Sequence, residues 1–544
     1  MRRPSNGPRL RFLVIAAVSV AVVGAAATAP AIQPTTRGLP ACLEGPTESR
    51  CPSWASEYDY PGGRAYVGQQ KARAIVVSPD GTRAFVTGSI IDDDTLVDYG
   101  TVAYDTATGA LLWAARHDGP TEWSDRAYSI ALSPDGSRVF VTGAESRKVG
   151  NTEVGDFATV AYTATTGAEE WVARYDAGGH DRAAKVVADG SRLYVTGSSQ
   201  GSSGAGEYAT ASYDQATGRE VWVARYADPA AFGATPTGLA TSPDGSRVFV
   251  TGSEVLDADG ESSAFATVAY DAASGSPEWV ARSTGPGGGR DQASAVAVDA
   301  TRVFVTGGSP GAGGDSDYAT VAYDAGTGDE LWGSRYDAAL RSDVPAALAV
   351  GPGGVYVTGS SLDAPSDGIE ATVSPFRTDA LTVAYDAASG EQAWEQRFAS
   401  SAHHTKETGV AIALSPDGGR VVVGGYTMPA SGGEPTNPTT FGGCSSSKGD
   451  EGSIAGSDRM GSFLTISYGA STGAQEWYAT FNASTDNHAA VESGEASALA
   501  ISPDGTRVYV AGTSAHLYSD SCPGAEPIQN YTDYWTLAYP TGAI

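Results

Sequence analysis

The chain has 544 residues, of which 69 are glycine and 9% are aromatic, and its net charge at pH 7 is −29. This excess of carboxylates excludes nucleic acid and anionic membrane as partners, because both need a basic surface. The many glycines favour an all-β protein with tight turns.

The first 31 residues are predicted to be a secretory signal. The apolar run, residues 12–29, follows four arginines, namely Arg2, Arg3, Arg9 and Arg11. Ala29-Pro30-Ala31 offers a cleavage site, and an uncleaved anchor of similar length is the alternative. Residues 32–52 then read as a leader rich in proline and threonine. We therefore expect the mature protein outside the cell or on the exterior of the cell envelope.

From residue 54 onward the chain repeats one pattern eight times. The first half of the repeat reads Ser-Pro-Asp-Gly-x-Arg-Val-Phe-Val-Thr-Gly, with clear copies at Ser78–Gly88, Ser133–Gly143, Ser242–Gly252, Ser415–Gly425 and Ser502–Gly512. Degenerate copies stand at Ala188–Gly197, Asp299–Gly307 and Gly351–Gly359. Repeats of this length in strand-forming residues indicate a radial or stacked array.

The second half of the repeat ends on a tryptophan and contains Ala-x-Asp-x-x-Thr-Gly-x-x-x-Trp. Its alternating apolar residues predict a half-buried strand, and Asp-Ala-x-Thr-Gly predicts a turn. Four strands per repeat follow, and in the fourth repeat they are Gly238–Ser242, Arg247–Gly252, Phe265–Asp271 and Glu278–Arg282. Four short antiparallel strands are typical of a β-propeller blade.

The two ends of the sequence predict how the ring closes. The last repeat stops at residues 539–544, before its tryptophan strand, and the matching strand is found around Trp54. We therefore predict an all-β fold, a single eight-bladed β-propeller over residues 53–544 with four antiparallel strands per blade. The N-terminal strand around Trp54 would complete the C-terminal blade and cover its unpaired edge.

The four cysteines of this exported chain indicate two disulfides. Cys42 and Cys51 lie near the predicted closing strand, whereas Cys444 and Cys522 lie in long insertions of the seventh and eighth repeats. Of the three possible pairings we expect Cys42–Cys51 and Cys444–Cys522. A metal site is the alternative, and the lack of a Cys-x-x-Cys spacing disfavours it.

The repeat resembles that of the secreted bacterial β-propeller repeat proteins, and residues 265–309 carry the pattern almost continuously. Its Ala-x-Asp-x-x-Thr-Gly-x-x-x-Trp spacing is also similar to the tryptophan-docking motif of the eight-bladed pyrroloquinoline-quinone (PQQ) dehydrogenases. This resemblance implies that tryptophans lock adjacent blades together, namely Trp54, Trp113, Trp171, Trp222, Trp279, Trp332, Trp394 and Trp477. The chain has no adjacent cysteines and no Cys-x-x-Cys-His haem segment, so bound PQQ is not expected.

A carboxylate recurs just before the inner strand of five repeats, at Asp125, Asp181, Asp291, Asp343 and Glu407. On the inner rim these residues would form an acidic collar suited to Ca²⁺, which prefers hard oxygen ligands. The alternative is that each carboxylate accepts hydrogen bonds from backbone amides and joins neighbouring blades.

Histidines gather in the last two repeats. His403, His404 and Glu407 precede the seventh inner strand, His488 precedes the eighth, and His516 lies in the insertion of the eighth repeat. Imidazoles in such a group could bind zinc or act as acid and base. Polar residues on a solvated rim are the alternative, because no His-x-x-x-His spacing is present.

The two faces of the predicted propeller differ in sequence. The turn face carries the Ser-Pro-Asp-Gly and Thr-Gly turns, which hardly vary. The loop face carries the connections between second and third strands and those leading to the next inner strand, which diverge as binding loops do. We expect a monomeric, secreted, non-catalytic binding or scaffold module for a protein, glycan or small molecule, without a cofactor other than Ca²⁺ or another divalent cation. A PQQ-like quinoprotein dehydrogenase or a metal-assisted enzyme using the loop face of blades seven and eight is the alternative.

Overall fold

The computed structural model contains strands as its only regular elements in the residues that it describes. Among these residues, no helix is long and apolar enough to cross a membrane. The described residues are 51–58, 70–91, 97–121, 123–150, 152–200, 204–338, 342–362, 378–399, 405–429, 461–481, 492–518 and 529–542.

The strands form eight sheets of four antiparallel strands, which are the eight blades of a propeller, as the repeat predicts. From the inner to the outer strand, blades one to four are β2 (Lys71–Val77), β3 (Arg83–Ile90), β4 (Asp98–Asp105) and β5 (Leu111–His117); β6 (Arg126–Leu132), β7 (Arg138–Val149), β8 (Thr152–Thr163) and β9 (Glu169–Tyr175); β10 (Asp181–Asp189), β11 (Arg192–Gln200), β12 (Gly206–Asp214) and β13 (Glu220–Tyr226); β14 (Gly233–Thr241), β15 (Arg247–Val255), β16 (Ser263–Asp271) and β17 (Pro277–Ser283).

In the same order, blades five to eight are β18 (Gln292–Val298), β19 (Arg302–Pro310), β20 (Ser316–Asp324) and β21 (Glu330–Tyr336); β22 (Asp343–Gly351), β23 (Gly354–Leu362), β24 (Thr378–Asp386) and β25 (Gln392–Phe398); β26 (Thr405–Leu414), β27 (Arg420–Pro429), β28 (Ser462–Gly469) and β29 (Gln475–Phe481); β30 (Glu492–Ile501), β31 (Arg507–Tyr518), β32 (Gln529–Pro540) and β1 (Trp54–Tyr58).

The N-terminal strand closes the ring, which confirms the predicted closure. Strand β1 pairs antiparallel with β32, so that Trp54 lies opposite Ala538 and Tyr58 opposite Tyr534. The closing seam has its own apolar cluster, to which blades one and eight both contribute. Each of the eight blades therefore has its full set of four strands.

The third strand of each blade is buried on both faces, which corrects the predicted half-buried strand. In β16, eight of nine residues are buried. The reason is that each blade lies between two others, so both faces of the sheet are covered and alternation no longer separates inside from outside. Buried threonines pair across neighbouring strands, and in blade four the hydroxyls of Thr251 and Thr267 form a hydrogen bond of 2.9 Å.

The Ser-Pro-Asp-Gly motif forms a tight hairpin on the turn face. In blade four the Ser242 hydroxyl accepts the Arg247 amide at 2.9 Å and donates to Asp244 at 2.6 Å. The hydrogen bonds that Asp244 accepts, first from Ser242 and then from the amide and hydroxyl of Ser246, lower the pKa of its exposed carboxyl to about 2. Gly245 completes the turn with φ of 68°. The repeated aspartate of this motif thus has a structural role.

Candidate functional site

The repeated tryptophans lie at the seams between blades. Except for the half-buried Trp171, the side chains are at most 9% exposed. Seven of the indoles donate a hydrogen bond to a backbone carbonyl of the next blade. The acceptors are Thr106 for Trp54, Ala164 for Trp113, Gln215 for Trp171, Ala272 for Trp222, Ala325 for Trp279, Ala387 for Trp332 and Ala470 for Trp394. Trp477 packs against Tyr539, with ring centroids 6.2 Å apart. This geometry assigns the tryptophans to architecture.

The recurring aspartates hold the backbone of the loop that enters each blade. Asp125, Asp181, Asp291 and Asp343 are at most 1% exposed. Their carboxylates accept amide hydrogen bonds from residues of the preceding loop, at 2.6 Å from Gly119, 2.6 Å from Ala177, 3.0 Å from Gly285 and 2.9 Å from Ala338. These are the hydrogen bonds that the backbone-bonding alternative describes, and the acidic collar with bound Ca²⁺ stays a prediction. Burial raises the pKa of Asp125 to about 7.

The histidine group of blades seven and eight falls mostly outside the described residues. His403, His404 and His488 lie outside them, as do Cys42, Cys444 and Cys522, and the structure describes only the backbone of His516. That backbone pairs with Glu492 across β30 and β31. Glu407 is described and is 1% exposed. The histidine site and both disulfide pairings therefore stay predictions.

A second set of repeated charges, which the sequence reasoning missed, joins the third strand to the outer strand. The outer-strand arginine of Trp-x-x-Arg pairs with a third-strand carboxylate in four blades, as Arg116–Asp98 at 2.5 Å, Arg225–Glu207 at 2.8 Å, Arg335–Asp317 at 2.9 Å and Arg397–Asp379 at 3.6 Å. The signal was available, because Asp-Tyr-Ala-Thr and Trp-x-x-Arg-Tyr recur together. These pairs neutralise carboxylates that a count of charges treats as free.

Blades one and two share a buried histidine that the sequence analysis did not single out. His117, which is 6% exposed, lies 2.7 Å from Glu145 and 2.8 Å from Glu169. Burial alone would lower the pKa of His117, but hydrogen bonds to the two glutamates raise it above its usual value. Arg174 also pairs with Glu145 at 2.6 Å. The cluster is an inter-blade contact whose charges are already matched.

An open cavity of about 440 Å³ lies on the loop face over blades two to four. Arg126, Tyr128, His180 and Arg182 line it, and the Arg182 guanidinium stacks 4.1 Å from the centroid of the Tyr128 ring. Neither Arg126 nor Arg182 forms an ion pair within the part of the chain that the structure describes. The carboxylates of Glu153 and Asp181 line the same cavity, so the two arginines face the opening beside acidic groups with which they form no ion pair.

Among the residues that the structure describes, three groups of carboxylates could hold a metal ion, with ligand oxygens within 4.8 Å of one another in each. They are Asp98, Asp118 and Asp125; Asp156, Asp176 and Asp181; and Asp315, Asp317 and Asp337. Each group contains one aspartate of a third strand, which is Asp98, Asp156 or Asp317. Each also contains one aspartate just after an outer strand, which is Asp118, Asp176 or Asp337. They occupy related places because the repeat that builds them is the same.

Eight four-stranded blades locked by tryptophans define the chain as a propeller of the PQQ-like class. The sequence model of the family described as outer membrane protein assembly factor BamB matches residues 98–313, 206–375 and 317–519, and the chain belongs to this family. No curated protein matches the chain in sequence.

Several solved structures share the fold. Sqt1 from Chaetomium thermophilum is 12% identical with a TM-score of 0.50, over 87% of this chain and 97% of that one. BamB from Moraxella catarrhalis is 14% identical with a TM-score of 0.40, over 90% and 97% of the two chains. A quinohemoprotein alcohol dehydrogenase from Pseudomonas putida HK5 is 14% identical with a TM-score of 0.45, over 90% and 76%. At these identities the likeness shows the fold alone.

Proposed function

We propose that the chain is a non-catalytic binding propeller that takes an anionic partner on its loop face. The observation that carries this proposal is the cavity over blades two to four, with Arg126 and Arg182 at its wall. Guanidinium groups without a carboxylate partner are suited to bidentate hydrogen bonds with a carboxylate or a similar anion. Tyr128 adds an aromatic surface on which Arg182 is already oriented.

The acidic remainder of the protein favours recognition at this one place. A net charge of −29 repels anions from most of the surface, so an anionic group is accepted only where local cations outweigh the repulsion. The partner would therefore be a carboxylate-bearing protein segment, glycan or small molecule. Long-range attraction is weak in this arrangement, and affinity would depend on direct contacts with the two arginines.

We place this function outside the cytoplasm. The predicted signal over residues 1–31 would export the chain, and the family bears the description of an outer membrane assembly factor. Export would also permit the proposed disulfides Cys42–Cys51 and Cys444–Cys522, because oxidising compartments preserve them. After signal cleavage the protein would act as a monomer without membrane attachment.

The binding proposal is tested with a fluorescein-labelled octapeptide of glutamate and with its glutamine counterpart. Wild-type protein should bind the glutamate peptide more tightly, and the double variant Arg126→Ala/Arg182→Ala should weaken that binding at least about tenfold, as expected for the loss of two charged hydrogen bonds. Arg219→Ala is the matched control, since Arg219 is an exposed arginine on the turn face. The proposal would be overturned if the double variant and Arg219→Ala changed the affinity for the glutamate peptide equally. It would also be overturned if wild type bound the glutamate and glutamine peptides equally tightly.

A catalytic role is tested separately by purifying the protein from its natural host. The alternatives are a PQQ-like quinoprotein dehydrogenase and a metal-assisted enzyme on the loop face of blades seven and eight. An absorption spectrum with a stoichiometric quinone would contradict the non-catalytic proposal. Substrate turnover that disappears on replacing His403 or His488 would contradict it as well.

A further inference from the structure

The acidic group between blades two and three brings three separate segments together. Asp156 belongs to β8, Asp176 follows β9, and Asp181 begins β10. Asp181 is completely buried, Asp156 is 13% exposed and Asp176 is 47% exposed. The group thus runs from the protein interior to the surface, next to the cavity that Asp181 also lines.

Two carboxylate oxygens of this group have no hydrogen-bond donor among the described residues. They are the buried Oδ1 atoms of Asp156 and Asp181. The other oxygens are occupied: Arg147 bonds Oδ2 of Asp156 and, at 2.8 Å, Oδ2 of Asp176, and the Ala177 amide bonds Oδ2 of Asp181 at 2.6 Å. Buried ionised oxygens without a partner are costly, and one carboxylate oxygen of each residue lies within 4.8 Å of those of the others, so the group favours a positively charged ligand.

The charge of the group matches a divalent ion. Three carboxylates and the single guanidinium of Arg147 leave two negative charges. Repulsion between the remaining negative charges is relieved when a cation lies between the carboxylates.

The group at the edge of blade five has the same composition but draws on two segments, because Asp315 directly precedes β20, Asp317 lies at the start of β20 and Asp337 follows β21. Oδ2 of Asp315 and Oδ1 of Asp317 are buried without a donor among the described residues. Arg335 bonds the other oxygen of Asp317 at 2.9 Å, and Asp337 completes the group. Three carboxylates and one arginine are again present. Two independent positions in the ring therefore carry the same donor set.

We propose that these two groups, Asp156/Asp176/Asp181 and Asp315/Asp317/Asp337, each bind one Ca²⁺ ion on the loop face of the propeller. The donors are all oxygen atoms, which suit Ca²⁺ better than zinc or copper. The third group is not included, because both oxygens of Asp125 already accept amides, from Gly119 and Ser146. The ions would hold the loop face rigid independently of the partner proposed above.

The test is the number of Ca²⁺ ions bound by the full chain. Protein stripped with EGTA is dialysed against CaCl₂ and analysed by equilibrium dialysis and calorimetry. Wild type should bind two ions per chain, Asp181→Asn one, Asp317→Asn one, and the double variant none. Asp176→Asn, at an exposed position, should keep its fold and weaken one site at least about tenfold, as expected for the loss of one charged ligand.

Asp291→Asn is the matched control. Asp291 has the same place in the repeat as Asp181, is 1% exposed and accepts the Gly285 amide, but belongs to none of the acidic groups. This variant should lose stability and still bind two ions. Wild type without bound Ca²⁺, Asp181→Asn with two ions, or Asp291→Asn with fewer than two would overturn the proposal. The Arg126→Ala/Arg182→Ala variant should retain both ions, which separates this test from the peptide assay.

Discussion

Single glycines at the seams between blades show why the Thr-Gly sequence of the repeat varies so little. Gly275, in the turn between β16 and β17, has φ of 73°, and a Cβ atom built on it would lie 2.5 Å from the Trp222 ring. The same contact, at 2.5 to 2.7 Å, recurs at Gly109, Gly167, Gly218, Gly328, Gly390 and Gly473. The glycine of Thr-Gly is thus required both by the backbone and by the indole that covers it.

Gly275→Ala should therefore destabilise the protein more than an alanine at another left-handed turn. Gly260 is the control, because its φ is 69° but a Cβ atom there has nothing within 4 Å. We expect Gly260→Ala to cost about 1 kcal/mol through the backbone alone. Gly275→Ala should cost about 1–3 kcal/mol more through the clash with Trp222. Equal losses in urea unfolding would show that the indole does not set the requirement.

His117 should make stability depend on pH near neutrality. The pKa of His117 is raised in the folded state. The stabilisation of the fold by protonated His117 is therefore fully present below the unfolded-state pKa of about 6.5 and is lost as pH rises through the folded-state pKa. The melting temperature should fall as pH rises through that window. In His117→Tyr, which installs the residue found at this position in other blades, the fall should be smaller.

A second group of the same cluster delimits this effect. Glu145 acts in the opposite direction: burial would raise its pKa, but hydrogen bonds from His117 and Arg174 lower it. The stabilisation of the fold by ionised Glu145 is therefore lost as pH falls below the usual pKa range of a glutamate. An identical profile in wild type and His117→Tyr would show that the cluster does not control neutral-pH stability.

At the scale of the strand, each outer strand is fastened to the next blade by its tryptophan. Trp279 of β17 lies with its ring centroid 5.8 Å from that of Phe249 in its own blade and 6.4 Å from that of Tyr323 in the next. Trp279→Ala should cost about 3–5 kcal/mol, because it removes a large buried side chain from the seam. Trp279→Phe should cost less, since it keeps an aromatic ring and loses the bond to Ala325. An alanine variant as stable as wild type in urea would contradict this role.

The sequence predicted these elements well where the repeat is regular. The fourth repeat was expected to begin at Gly238, whereas β14 begins at Gly233. The five preceding residues do not follow the repeat, yet four of them, Gly233 to Pro236, pair with β15, and Thr237 lies at a register shift. The Arg–carboxylate pairs were missed because Arg225 and Glu207 are 18 residues apart and meet only through the register of β12 and β13.

At the scale of the whole molecule, the closed ring could be predicted from the sequence, whereas the positions of the cavity and of the acidic groups could not. Eight copies of one unit dictate a closed array, because each copy needs a neighbour on both faces. The cavity over blades two to four depends instead on Arg126 and Arg182, which share one position of the repeat that is Gln292 in blade five and Val344 in blade six. The acidic groups combine two or three segments each, so their proximity follows from packing that no local pattern encodes.

Closure should be a property of the whole ring that depends on β1. Trp54 donates to Thr106 of blade one at 2.9 Å while β1 pairs with β32 of blade eight. Deleting residues 51–58 removes both contacts and exposes an unpaired strand edge, so the melting temperature should fall and the protein should self-associate. A synthetic peptide of residues 52–58, added in excess, should restore the melting temperature, whereas the same peptide with Trp54→Ala should not. Unchanged melting of the deleted protein, measured by calorimetry and checked for association by light scattering, would refute this closure.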